Sequence, residues 1–162
     1  MSRKITAIVF FIAIMTSAVR SQPYTSAFGV RLGYGLGLTY KGFVSSSSAI
    51  EGIAQYAWKE HGYSLCGLYE FHNYHSFRTS DLALIYGFGA HLAYYNQGFY
   101  KNRSGIYYVE SEMNFGLDGI IGIDYYIPEA RIDWSLDVKP FLDFVNPGFR
   151  FWDGALSIRY TF

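Results

Sequence analysis

The chain has 162 residues, of which 20% are aromatic and 16% charged, with 17 glycines, one cysteine, and 13 basic against 13 acidic residues. Soluble domains carry about 25% charged residues. The charge balance holds no basic excess of the kind that nucleic acid demands, and one cysteine excludes an internal disulfide.

The first 21 residues predict a secretory signal peptide, with residues 22–162 as one mature domain. Arg3 and Lys4 precede an apolar run from Ile5 to Ala18. Val19 and Ser21 are the small residues before a cleavage site expected between Ser21 and Gln22. The run is shorter than the ~20 residues a spanning helix needs. Cys66 lies far from the cut, so a lipid-modified cysteine there is excluded. Cleavage removes Arg3, Lys4 and Arg20 and none of the 13 acidic residues, for a mature net charge of about −3.

Beyond the leader the chain alternates with a period of two. From Ala27 to Lys41, Phe28, Val30, Leu32, Tyr34, Leu36, Leu38 and Tyr40 share one face. Gly29, Arg31, Gly33, Gly35, Gly37, Thr39 and Lys41 share the other. This segment is read as a single strand. Ala49 to Lys59 sets Ile50, Ala54, Tyr56 and Trp58 against Glu51, Gln55 and Lys59, with Ile53 and Ala57 breaking the pattern. Tyr63 to His72 sets Leu65, Tyr69 and Phe71 against Ser64, Cys66, Glu70 and His72. Leu82 to Tyr95 sets Leu84, Tyr86, Phe88 and Leu92 against Gly87, Gly89 and His91. Leu117 to Tyr126 sets Ile121, Ile123 and Tyr125 against Asp118, Gly122 and Asp124. Ile132 to Lys139 sets Trp134, Leu136 and Val138 against Asp133, Ser135, Asp137 and Lys139. The final stretch sets Leu156, Ile158, Tyr160 and Phe162 against Ala155, Ser157, Arg159 and Thr161.

These are seven strands. Bacterial single-chain membrane barrels have an even number, which places an eighth near Ser104 to Glu112. The alternative makes residues 96–114 one large outer loop and draws the extra strand from the long first segment. The eight-strand scheme makes 60–62 and 127–131 turns on the side of the mature termini. Segments 42–48, 73–80 and 145–151 then become loops on the other side.

The leader, these segments and the terminal SIRYTF together resemble small outer-membrane β-barrel proteins of the OmpA/OmpX/OmpW type. The blocks GLGLTYKGF, LCGLYEFH, YGFGAHLAYY, GLDGIIGIDYYIPE and WSLDVKP resemble short barrels of the Bacteroidota. The resemblance implies an all-β, up-and-down antiparallel transmembrane barrel in the outer membrane of a Gram-negative bacterium. It implies a final strand, with Leu156, Ile158, Tyr160 and Phe162, that the barrel-insertion machinery reads. It further implies outer-membrane lipid and periplasmic chaperones as partners, and transfers no catalytic residue.

In that fold the charged face looks inward. Arg31, Lys41, Glu51, Lys59, Glu70, His72, His91, Asp118, Asp124, Asp133, Asp137, Lys139, Asp153 and Arg159 are the expected lumen residues. A narrow barrel fills its interior with mutually satisfied polar groups, so a structural network is favoured over a proton relay, ion path or hydrolase. Arg159, flanked by strands bearing Asp133 and Asp137 and closing against the strand with Arg31, is the expected anchor. Two sharper readings concern His72 and His75. Near Ser76 and Ser80 they suggest a lipid-modifying hydrolase at an outer loop, and with Glu70 they suggest a metal site. HxxH alone is a weak signal, since strand spacing turns the two onto opposite faces.

Connectors at Ser45–Ser48, Asn96–Arg103 and Phe144–Trp152 are candidate binding loops, with Phe99, Tyr100, Phe149 and Phe151 as alternative interfacial anchors. The expected function is a structural or surface-binding outer-membrane barrel, with no enzyme activity and no cofactor or metal. Its alternatives are a narrow conduit for small or amphipathic molecules, a lipid-modifying enzyme, and a soluble lipocalin-like barrel with the apolar face inward.

Overall fold

A computed structural model describes residues 24–162 except 59–60, 78, 80, 96–97, 103–104, 110–111 and 146–147. For 98–102, 105–109, 112 and 148–152 the description is of the backbone. The signal peptide and Lys59 lie outside the described residues.

Alternating sequence becomes strand wherever it occurs. In chain order the strands are β1 (Ser26–Leu32), β2 (Gly35–Ser45), β3 (Ser48–Ala57), β4 (Gly62–Asn73), β5 (Leu82–Tyr95), β6 (Gly98–Asn102), β7 (Gly105–Val109), β8 (Glu112–Ile127), β9 (Ile132–Asp143) and β10 (Gly148–Thr161). Eight of them close an antiparallel up-and-down barrel in the order β1-β10-β9-β8-β5-β4-β3-β2. β6 and β7 pair with each other as a separate two-stranded sheet.

The eighth barrel strand is therefore not at Ser104 to Glu112. It comes from the long first segment, which folds back on itself between β1 and β2. The turn is invisible to the alternation for a geometric reason. Phe28 pairs with Tyr40, Val30 with Leu38 and Leu32 with Leu36. Each pair joins two even-numbered residues, so the same parity faces outward before and after the turn. Gly33 N donates to Gly35 O at 3.0 Å, and Tyr34 N donates to an Asp153 carboxylate oxygen at 3.0 Å. A Cβ on Gly35 would lie 1.8 Å from the Tyr56 carbonyl oxygen, so only glycine fits where the chain re-enters the sheet. β2 then runs on to Ser45, which gives the second strand eleven residues.

This hairpin reverses the sense of the strands between it and residue 96. Segments 46–47, 74–81 and 128–131 lie at the barrel end that carries Ser26 and Phe162, and those two residues exchange backbone hydrogen bonds of 3.1 and 2.9 Å. The strand ends that join β1 to β2, β3 to β4, β5 to β8 and β9 to β10 lie at the opposite end. The expected placement is thus corrected for 42–48, 73–80 and 60–62, each of which sits at the other end. For 127–131 and 145–151 the ends agree with expectation.

Outward positions carry the aromatic and aliphatic residues: Phe28 is 50% exposed, Leu136 52% and Ile158 47%. Inward positions carry the charges, with Arg31 and Lys41 fully buried and Arg159 1% exposed. Ile53 and Ala57, which break the pattern of β3, face inward and are buried. Ile53 belongs to a small apolar cluster with Cys66, Leu68, Ile85 and Ile120 on one side of the lumen.

Candidate functional site: the charged lumen

Among the described residues, eight acidic side chains and four lysines or arginines are buried, together with His72 and His91. They form three groups along the lumen.

The largest group lies toward the end that carries the termini. Arg159 on β10 donates from Nη1 to Asp133 on β9 at 3.0 Å and to the Ser135 hydroxyl at 3.0 Å. Its Nη2 donates to Glu51 Oε1 on β3, and its Nε to the Thr39 hydroxyl on β2 at 3.2 Å. Thr39 in turn donates to Glu51. One guanidinium thus joins four strands across the lumen, which its planar fork of five N–H donors allows. Lys41 on β2 lies 3.1 Å from Glu70 and 3.3 Å from Asp124. His72 lies 3.3 Å from each of the same two carboxylates.

An aromatic lid covers this group. Tyr24, just before β1, packs edge-on against Phe43 at 5.1 Å and against Tyr126 at 5.3 Å, and Phe43 packs on His72 at 4.8 Å. The Tyr24 hydroxyl is buried with no hydrogen-bond partner among the described residues. Burial, with Asp124 and Asp133 nearby, pushes its pKa well above the ordinary tyrosine value.

A second group joins Arg31 on β1 to Asp137 on β9 through two bonds of 2.7 Å. Asp153 stands 3.8 Å from the same guanidinium. The third group lies toward the opposite end. There Asp118 and Asp143 face the two ring nitrogens of His91 at 2.9 and 3.0 Å. Lys139 donates to Asp118 at 2.6 Å and sits 5.2 Å from the Phe141 ring centroid.

The expected lumen residues that are described, from Arg31 to Arg159, all lie inside. Their partners could not be read from the sequence: Asp137 pairs with Arg31, and Arg159 takes Asp133 and Glu51. Asp143 and Tyr24 were missed. Asp143 continues the odd-numbered face of β9, four residues beyond Lys139, where the sequence segment ended. Tyr24 lies outside the alternating segment altogether.

The two histidines of the sharper readings fall in different surroundings, and Ser80 lies outside the described residues. His72 is buried in the lumen at the end carrying the termini, against Glu70 and Asp124, whereas Ser76 is exposed. His75 is exposed in a short 3-10 turn, Tyr74–Ser76, where its N–H donates to Asn73 Oδ1 at 3.0 Å. Glu70, His72 and His75 do not converge.

No family model matches the chain, and no curated protein matches it. Among solved structures it is similar to the N-terminal β-barrel domain of Pseudomonas aeruginosa OprF, with a TM-score of 0.58 and 14% identity, over 85% of this chain and 94% of that one. The likeness is one of fold.

Proposed function

We propose that the chain is an integral outer-membrane β-barrel of a Gram-negative bacterium, with a structural or surface-binding role and a lumen filled by side chains. One observation carries this reading. No described outward position of the eight barrel strands holds Asp, Glu, Lys or Arg, and Leu65, Phe88 and Ile121 stand 61%, 63% and 56% exposed there. Water would penalise such a belt at roughly 25 cal/mol per Å² of apolar surface. Hydrocarbon does not, and a closed barrel leaves no unpaired strand edge in it.

The likeness to another eight-stranded barrel supports the architecture of this reading, and the leader-like first 21 residues support export. The final strand β10 pairs with β1 to close the wall, which suits a segment that insertion machinery reads. Lipid, that machinery and periplasmic chaperones are the proposed partners, and the proposed role is non-catalytic. The ion pairs across the lumen disfavour a conduit, so reconstituted bilayers should stay electrically silent.

Cell fractionation with gel migration before and after boiling tests the reading. A membrane-bound protein whose mobility changes on boiling supports it. A detergent-free soluble protein in the periplasmic fraction overturns it and returns the lipocalin-like alternative.

A further inference from the structure

Glu51 and Glu70 face the lumen from neighbouring strands as a diagonal pair: Glu51 stands opposite Leu68, and Glu70 opposite Ala49. Such diagonals lie within reach of long side chains. Both side chains are fully buried. Each carboxyl group uses one oxygen. Glu51 Oε1 accepts from Arg159 and Thr39, while Glu70 Oε2 meets Lys41 at 3.1 Å and His72 at 3.3 Å. The other two oxygens, Glu51 Oε2 and Glu70 Oε1, have no partner among the described residues, and the diagonal register brings the two carboxyl groups within reach of each other.

Two carboxylates cannot hydrogen-bond each other, because ionised oxygens only accept. A carboxylic acid beside a carboxylate can. We propose that Glu51 and Glu70 form a proton-binding dyad, with one proton held between Glu51 Oε2 and Glu70 Oε1 in the folded barrel at neutral pH.

The charges around the dyad agree. Arg159 and Lys41 touch it directly, and Arg31 faces Glu51 from further along the lumen. Asp124 and Asp133 draw on the same two cations, and Asp137 draws on Arg31. His72 is a further titratable neighbour, set between Glu70 and Asp124, with the Cys66 thiol and the Tyr24 hydroxyl beyond it. Four carboxyl groups therefore share Arg159, Lys41 and one histidine. A bound proton removes one negative charge from a buried excess of acid, and like charges at close range are otherwise costly.

Infrared spectroscopy of the full chain folded in detergent micelles at pH 7.5 tests this. The dyad predicts a protonated-carboxyl C=O band that shifts in D2O, disappears in Glu70→Gln and persists in Asp118→Asn, whose carboxylate belongs to the separate His91 and Lys139 group. Glu70→Gln should fold, since the amide N–H donates where the acid O–H did. Linkage supplies a second readout, available from the wild type even if the variant fails to fold. A folded state that binds one more proton than the unfolded chain loses stability as pH rises, by up to tenfold in the folding equilibrium constant per pH unit. Glu70→Gln flattens that slope. Absence of the band in the wild type overturns the proposal, as does a band that survives Glu70→Gln or vanishes in Asp118→Asn.

Discussion

Arg31 and Asp137 face each other as two parallel forks, with each terminal nitrogen of the guanidinium 2.7 Å from one carboxylate oxygen. They come from β1 and β9, which are not neighbours; the pair reaches across β10, where Ser157 lies 3.4 Å from the same guanidinium. A planar fork-to-fork contact is the strong form of this ion pair. An ammonium on a flexible stem cannot reproduce it. Arg31→Lys is expected to lower stability by about 1–3 kcal/mol, read as a shift of the urea midpoint of the refolded barrel.

Arg159 binds more groups than any other lumen cation described here, taking Glu51, Asp133, Ser135 and Thr39. Its removal leaves two buried carboxylates without their partner. Breaking a buried pair this way costs about 3–5 kcal/mol. Arg159→Ala should therefore loosen the barrel and lower the boiling-dependent transition temperature on gels. A wild-type transition in that variant would show that the network does not hold the barrel together.

Leu136 is half exposed at the middle of β9, on the outer face. If that face meets hydrocarbon, Leu136→Arg costs about 2–4 kcal/mol in a bilayer. On a water-exposed face the same change is close to neutral. Unfolding of the two proteins from lipid vesicles separates the cases.

Cys66 is buried in the lumen wall beside Ile53, Leu68, Ile85 and Ile120. Buried thiols in apolar surroundings are inert. A water-soluble maleimide should leave the folded barrel unlabelled and label the urea-unfolded chain fully. Rapid labelling of the folded form would reveal an open lumen.

Arg131 closes the turn between β8 and β9 with a φ of 52°, in the left-handed region. For a side chain with a Cβ this costs roughly 1–2 kcal/mol. Arg131→Gly should recover about 1 kcal/mol, provided that the Thr161 N–H still donates to the carbonyl of residue 131, as it does now at 2.9 Å. A raised urea midpoint is the expected result.

Strand type and the facing of side chains were legible because Cβ atoms alternate along any strand. Phe28, Leu36, Leu136 and Ile158 share the apolar parity of their segments, and Arg31 and Arg159 share the opposite one. The turn at Gly33–Tyr34 was not legible. An antiparallel pairing of even-numbered with even-numbered residues preserves parity through a reversal, so one long strand and a hairpin read alike. The misplaced eighth strand followed from that, and so did the inverted ends for 42–48, 60–62 and 73–80.

The residues themselves determined that one set of alternate side chains is apolar and the other charged, which admits a two-faced wall and little else. Tertiary structure alone decided who meets whom inside it. Strand order and stagger bring Arg31 to Asp137 rather than Arg159, and Glu51 beside Glu70. Those contacts depend on how a closed sheet tilts, a property of all eight strands together that no local stretch of sequence carries.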